Sequence, residues 1–141
     1  MVLPDVNILV YAHRKDTAYH AAARRWVEEM LRSDRAYGMS ELVLSAFIRV
    51  VTHPKVFRPP SPLSAALAFA DEVMTPVQAV RISPGPRHWD IFATLCREAN
   101  AKGNLVADAY LAALAVESGC EWISTDGDYG RFKDLVWTRP F

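Results

Sequence analysis

Four carboxylates in this chain occupy places where an acid could do chemistry. Asp5 closes the apolar run Val2-Leu3-Pro4, and Glu41 opens a helical stretch just after Tyr37-Gly38-Met39. Asp108 lies inside Leu-Val-Ala-Asp-Ala-Tyr-Leu-Ala-Ala-Leu-Ala-Val, and Asp126 follows Trp-Ile-Ser-Thr in Ser-Thr-Asp-Gly-Asp-Tyr. A carboxylate on a helix that is apolar almost all round needs a partner, because burial penalises its charge. Carboxylates gathered together raise one another's pKa, and a proton or a cation relieves them. With no Cys pair or His cluster at ligand spacing, an all-oxygen donor set favours Mg²⁺ or Mn²⁺ over zinc. Taken singly, each acid also has a structural explanation. Asp5 and Asp126 suit turns or N-caps, Glu41 complements a helix dipole, Asp108 fits a buried salt bridge, and Asp128 fits a Gly-rich turn. The chemical reading rests on their conjunction.

The elements that must bring them together follow from the rhythm of the chain. Short runs rich in branched or aromatic residues, near Val2 to Asp5, Ala36 to Met39, Gln78 to Ile82, Cys120 to Ser124 and Leu135 to Trp137, read as strands. Between them lie helical segments: Asn7 to Ala12, Ala18 to Leu31, the stretch from Glu41 stopped by Pro54, one starting near Leu63, His88 to Ala101, and Asn104 to Ser118 closed by Gly119. This alternation predicts an α/β fold with a parallel sheet flanked by helices. Pro4 is the weak point, since proline cannot donate to a ladder. If the strand order is 3-2-1-4-5, strands one and four are neighbours about 4.8 Å apart. Asp5 and Asp126 then project from adjacent tips, with Glu41 approaching from the other side of strand one.

A length of 141 residues suits one domain, 1-141, and 51% hydrophobic against 23% charged residues places it in the globular range. No apolar run reaches the ~18 residues of a membrane span, so a soluble, cytoplasmic protein is expected. Cys96 and Cys120 are too few for a disulfide framework and read as core. Sixteen basic and sixteen acidic side chains cancel, which argues against a general electrostatic grip on duplex nucleic acid. Residues 1 to 62 nevertheless hold nine basic against six acidic side chains, and residues 63 to 141 hold seven against ten, giving +3 and −3. His13-Arg14-Lys15 either meets phosphates or is a solvated face. His20 and His53 lack a second ligand at helical spacing, and Trp26, Trp89, Trp122 and Trp137 read as core or interface anchors.

Asp5-Val6-Asn7, Glu41, Asp108-Ala109 before Leu-Ala-Ala-Leu-Ala, and Thr125-Asp126-Gly-Asp128-Tyr-Gly-Arg-Phe occur in an order that resembles a PIN-domain ribonuclease, specifically a VapC-type toxin of a type II toxin-antitoxin system. The resemblance covers nearly the whole chain. It implies a Rossmann-like five-stranded sheet, a Mg²⁺ or Mn²⁺ site, hydrolysis of RNA phosphodiester bonds (tRNA or other structured RNA), a cognate VapB-type antitoxin and a homodimer. The catalytic residues it implies are Asp5, Glu41, Asp108 and Asp126, with Asp5, Asp108 and Asp126 as metal ligands and Glu41 orienting or deprotonating the attacking water. Asn7, Thr125 and Asp128 would support them. Tyr129 departs from the phenylalanine that many members carry directly after the last aspartate. Two other readings compete: an aspartyl-phosphate phosphatase with Asp5 as nucleophile, weakened because Asn7 stands where such enzymes carry a second aspartate, and a catalytically silent α/β interaction module, whose acids would carry their own Arg or Lys partners.

Overall fold

Each apolar run forms a strand of only two or three residues, with a helix or a 3₁₀ turn leading on from nearly every one. The computed structural model describes all residues, Met1–Phe141. In chain order the elements are β1 (Val2–Pro4), α1 (Val6–His13), α2 (His20–Arg32), β2 (Tyr37–Met39), α3 (Glu41–Val51), α4 (Leu63–Met74), β3 (Ala79–Arg81), α5 (His88–Ala99), α6 (Asn104–Ser118), β4 (Glu121–Ile123), a 3₁₀ helix (Gly127–Arg131) and β5 (Trp137–Thr138).

All strand pairs are parallel, as expected of strands joined by helical crossovers. They form two ladders, β1-β4-β5 and β2-β3, and not the continuous five-stranded sheet in the order 3-2-1-4-5 that the sequence suggests. The break falls between β1 and β2, which lie side by side without a ladder. Pro4 supplies a reason. Asp5 donates its N–H to Ile123 O and Met1 O accepts from Glu121, so odd-numbered residues of this strand address β4. Val2 and Pro4 therefore turn their backbone groups toward β2, and Pro4 has no N–H to give. Close packing substitutes for hydrogen bonds there: a Cβ on Gly38 would sit 3.4 Å from Leu3 Cδ1 and 3.0 Å from Ile82 Cγ1.

Local chemistry explains the helix boundaries. Asp5 caps α1, its Oδ1 accepting from Val6 N, and Ser40 caps α3, its Oγ accepting from Leu42 N. Gly119 ends α6 with φ +69, a left-handed conformation that glycine adopts without strain. On α2, Ala23, Val27 and Met30 are buried with Trp26 and Leu31 packed beside them, the stripe its period predicts. One expectation fails on α6. Ala109, Ala112 and Ala113 are fully buried, but Val106 and Ala107 are exposed, and Asp108 is half-buried at the boundary. Small alanines let this helix sit close to the core on one face while the other borders an open groove.

Candidate active site

The N-terminus of α1 sits at the tips of β1 and β4, and a single hydroxyl organises it. Ser124 Oγ donates to Asp5 Oδ2 at 2.7 Å and accepts from Asn7 Nδ2 at 3.0 Å and from Asp126 N at 3.0 Å. The Ser124 carbonyl in turn accepts from Trp137 Nε1 on β5. Asp5 Oδ1 is held by Val6 N at 2.7 Å, so both oxygens of this 5% exposed carboxylate are fixed in direction. Asp126 Oδ1 accepts from Asp128 N and caps the 3₁₀ helix. The capping explanation for Asp5 and Asp126 thus holds, and it operates together with convergence on one site.

Electrostatics shows which acids converge. Burial pushes the Asp5 carboxyl up to about 6; the charges of Asp108 and Asp126 add to the rise, against the hydrogen bonds from Ser124 and Val6. Asp108 is also raised, by burial first and then by Asp126 and Asp128, with the Tyr129 hydroxyl pulling the other way. Tyr129 itself, buried within the group, is held protonated by burial and by the same three carboxylates, Asp5, Asp108 and Asp126. Five ion pairs occur in the molecule, and none includes Asp5, Asp108, Asp126 or Asp128. An acid cluster serving only structure would carry such partners.

Other candidates fall elsewhere. Glu41 pairs with Arg81 at 2.5 Å on the open surface, both side chains more than two-thirds exposed, and lines a separate shallow pocket with Ser40 and Ile82. Thr125 is buried beside the network, but its hydroxyl enters none of these bonds. Of the basic run, Arg14 is consumed by Asp16, Ser61 and the Pro59 carbonyl while stacking 4.3 Å over Phe57. His13 contacts Ser61. Its ring is held below its ordinary pKa by burial and then by Arg14.

Asp5, Asn7, Asp108 and Tyr129 open into a groove of about 680 Å³. Its floor is α1, one wall is α3 with Val56 and Phe57, and the other wall is α6. No three Asp, Glu, His or Cys side chains close round one point as a finished metal cage would. The donor set nevertheless suits a hard divalent cation: it is all oxygen, none of its carboxylates is in an ion pair, and Asn7 Oδ1 is a buried acceptor with no donor.

The family model described as PIN domain matches residues 2–135. The chain belongs to the PIN-domain family. Among PIN-domain proteins it is 41% identical over 140 residues to VapC ribonuclease Mb2897 of Mycobacterium bovis, covering 99% of this chain and 95% of that one. It is 40% identical to ribonuclease VapC25 of Mycobacterium tuberculosis, covering 99% of each. Two solved structures share the PIN fold: VapBC2 from Rickettsia felis bound to a promoter DNA fragment, with TM-score 0.70, 17% identity and 98% of each chain covered, and Mycobacterium tuberculosis VapC20, a sarcin-ricin loop cleaving toxin, with TM-score 0.67, 16% identity and 96% and 98% covered. Likeness to VapC ribonucleases at about 40% identity over nearly the whole chain, beyond PIN membership as such, supports an endoribonuclease acting as the toxin of a toxin-antitoxin system. Ser124 escaped the sequence reading because a serine at a strand tip has no distinguishing neighbourhood; its importance comes from residues more than a hundred positions away.

Proposed function

We propose that this chain, as a single domain over 1-141 in the cytoplasm, hydrolyses RNA with Asp5, Asp108 and Asp126 holding Mg²⁺ or Mn²⁺. The observation that carries the reading is the gathering of three carboxylates near the N-terminus of α1, close enough to act on one another's protonation, with none of them in an ion pair. Bound there, a divalent cation would supply charge neutralisation at the phosphate and a water acidic enough to attack it. The chain's own residues set the geometry. Val6 N–H and Ser124 Oγ aim the Asp5 oxygens, Asn7 and the Asp126 backbone fix Ser124, and Tyr129 steadies Asp108. Glu41, paired with Arg81 outside the groove, would orient or deprotonate the attacking water on leaving that arginine, and Asp128 adds negative charge beside Asp108. Thr125 packs behind this network.

The proposed partner is a VapB-type antitoxin, supported by the likeness to VapBC2, with an Arg or Lys entering the acidic end of the groove and an amphipathic segment covering its apolar walls. Self-association as a homodimer belongs to the same proposal. The test is direct. Purified chain with Mg²⁺ or Mn²⁺ should cut cellular RNA, and chelator or Asp5→Asn should abolish the cut. Phosphatase activity on small esters without RNA cleavage would favour the aspartyl-phosphate reading, in which Asp5 becomes phosphorylated.

A further inference from the structure

We propose that the RNA strand crosses the acid group between Arg49 and Trp89, the guanidinium holding a phosphate and the indole carrying an unpaired base. The inference rests on ribonuclease activity and adds two residues to it. Trp89, the second residue of α5, is 67% exposed, whereas Trp122 is fully buried and Trp26 and Trp137 are packed against the core. Of the two roles its residue type suggests, core anchor and interface anchor, this exposure removes the first. Nor is it loose: Phe92, one turn on, lies 5.4 Å from it, ring centre to ring centre, and meets Tyr110 edge-on at 5.3 Å. Tyr110 is braced from behind by the buried His88, whose Nε2 bonds the Tyr110 carbonyl.

Tyr110 follows Asp108 by two residues on α6 and lines the groove with it. The aromatic row therefore begins in the groove beside an acid of the site and ends outside in an open indole face. A rigid, backed aromatic plane is what an unstacked base accepts, and such stacking tolerates any base because each has a π-face.

Arg49 stands on the opposite wall, α3. It is the one basic residue lining the groove, and it forms no ion pair and no hydrogen bond to another side chain. A phosphate approaching Asp5 and Asp108 is repelled by them, so a strand must be held by positive charge nearby. Arg14, just past the end of α1, is occupied by Asp16, Ser61 and Pro59, and Arg24, on α2 beside it, by Glu28 and Glu72. The apolar lining of the groove can receive a protein segment, whereas the free guanidinium on one wall and the exposed indole beyond the other supply the phosphate and base contacts that a single strand of RNA needs.

The test measures binding of a fluorescein-labelled single-stranded oligoribonucleotide to the full chain carrying Asp5→Asn, with electrophoresis confirming that the RNA stays intact. Adding Trp89→Ala should weaken binding about 5- to 100-fold, and Trp89→Phe should recover most of the loss. RNA should quench tryptophan fluorescence, and the quench should vanish in Trp89→Ala. Arg49→Gln should weaken binding and lower the slope of log affinity against log salt by about 0.7, one phosphate's worth. Unchanged affinity and quench in Trp89→Ala would overturn the platform, as would a shift from dimer to monomer in sedimentation with RNA affinity per chain intact, which would make Trp89 a self-association anchor. Cleavage of RNA by the wild-type chain is scored separately, so the nuclease reading stands or falls on its own result.

Discussion

Asp5→Asn should make the cation-free protein more stable at neutral pH, although it alters a buried, doubly hydrogen-bonded residue of the site. Folding raises the Asp5 carboxyl from 3.8 to about 6, mainly through burial. The folded state therefore holds this proton more tightly than the unfolded chain does. Stability from this group is fully present below pH 3.8 and is lost as pH rises through 6. At pH 7 the full difference, roughly two pKa units at 1.36 kcal/mol each, opposes folding by about 3 kcal/mol. Asparagine carries no charge and keeps an oxygen for Val6 N–H. Its amide would have to donate to Ser124 Oγ, which already accepts from Asn7 and Asp126, so about 1 kcal/mol is lost there. The net gain is about 2 kcal/mol at pH 7, a rise of roughly 4–8 °C in melting temperature for a chain of this size. It should shrink to nothing near pH 4.5, where the remaining ionisation penalty of about 1 kcal/mol equals the hydrogen-bond loss, and change sign below that. Calorimetric melts of the two proteins in chelator at pH 4.5 and 7.5 measure both ends. A variant less stable than wild type at pH 7.5 would refute the reasoning and return Asp5 to a purely structural role. Adding Mn²⁺ should reverse the order, because only the wild type gains from binding.

Two further outcomes test the surroundings of the site. Arg81→Gln should leave stability within about 0.5 kcal/mol, since the pair with Glu41 is solvent-exposed, yet raise RNA cleavage at limiting Mn²⁺ a few-fold by freeing Glu41; slower cleavage would make Arg81 a support for Glu41. Arg14→Ala should cost about 1–2 kcal/mol in urea unfolding through loss of the Ser61 and Pro59 bonds and the stack over Phe57, with RNA affinity unchanged; the opposite pattern would make Arg14 a phosphate contact.

The boundaries of α3 and α6 were legible because their signals are local: Ser40 caps, Gly119 stops, and the apolar period lies between. So were the pairs β1-β4, β4-β5 and β2-β3, which follow from parallel crossover connections. The gap between β1 and β2 was not, although Pro4 had marked the place, because which of its neighbours a three-residue strand addresses depends on register. Among the acids, Asp5, Asp108 and Asp126 could be grouped from their positions after strands and on an apolar helix. Glu41 occupies the expected position at the start of α3, but its partner Arg81 lies forty residues on, at the end of β3. Arg49 and Trp89 carry no local signal at all; exposure is decided by what fails to pack against them.

Ser124 joins Asp5, 119 residues earlier, to Asn7, 117 residues earlier, and to Asp126. The acid group therefore has no existence in any N-terminal fragment that stops short of β4. While the chain is being synthesised, α1 to α5 can collapse around their apolar stripes, but the Ile123 and Ser124 partners that fix Asp5, and Asp126 itself, emerge later. An enzyme whose substrate is RNA is made on a machine built of RNA. A site stitched from residues more than a hundred positions apart is incomplete in the nascent polypeptide until the segment carrying Ser124 and Asp126 has emerged.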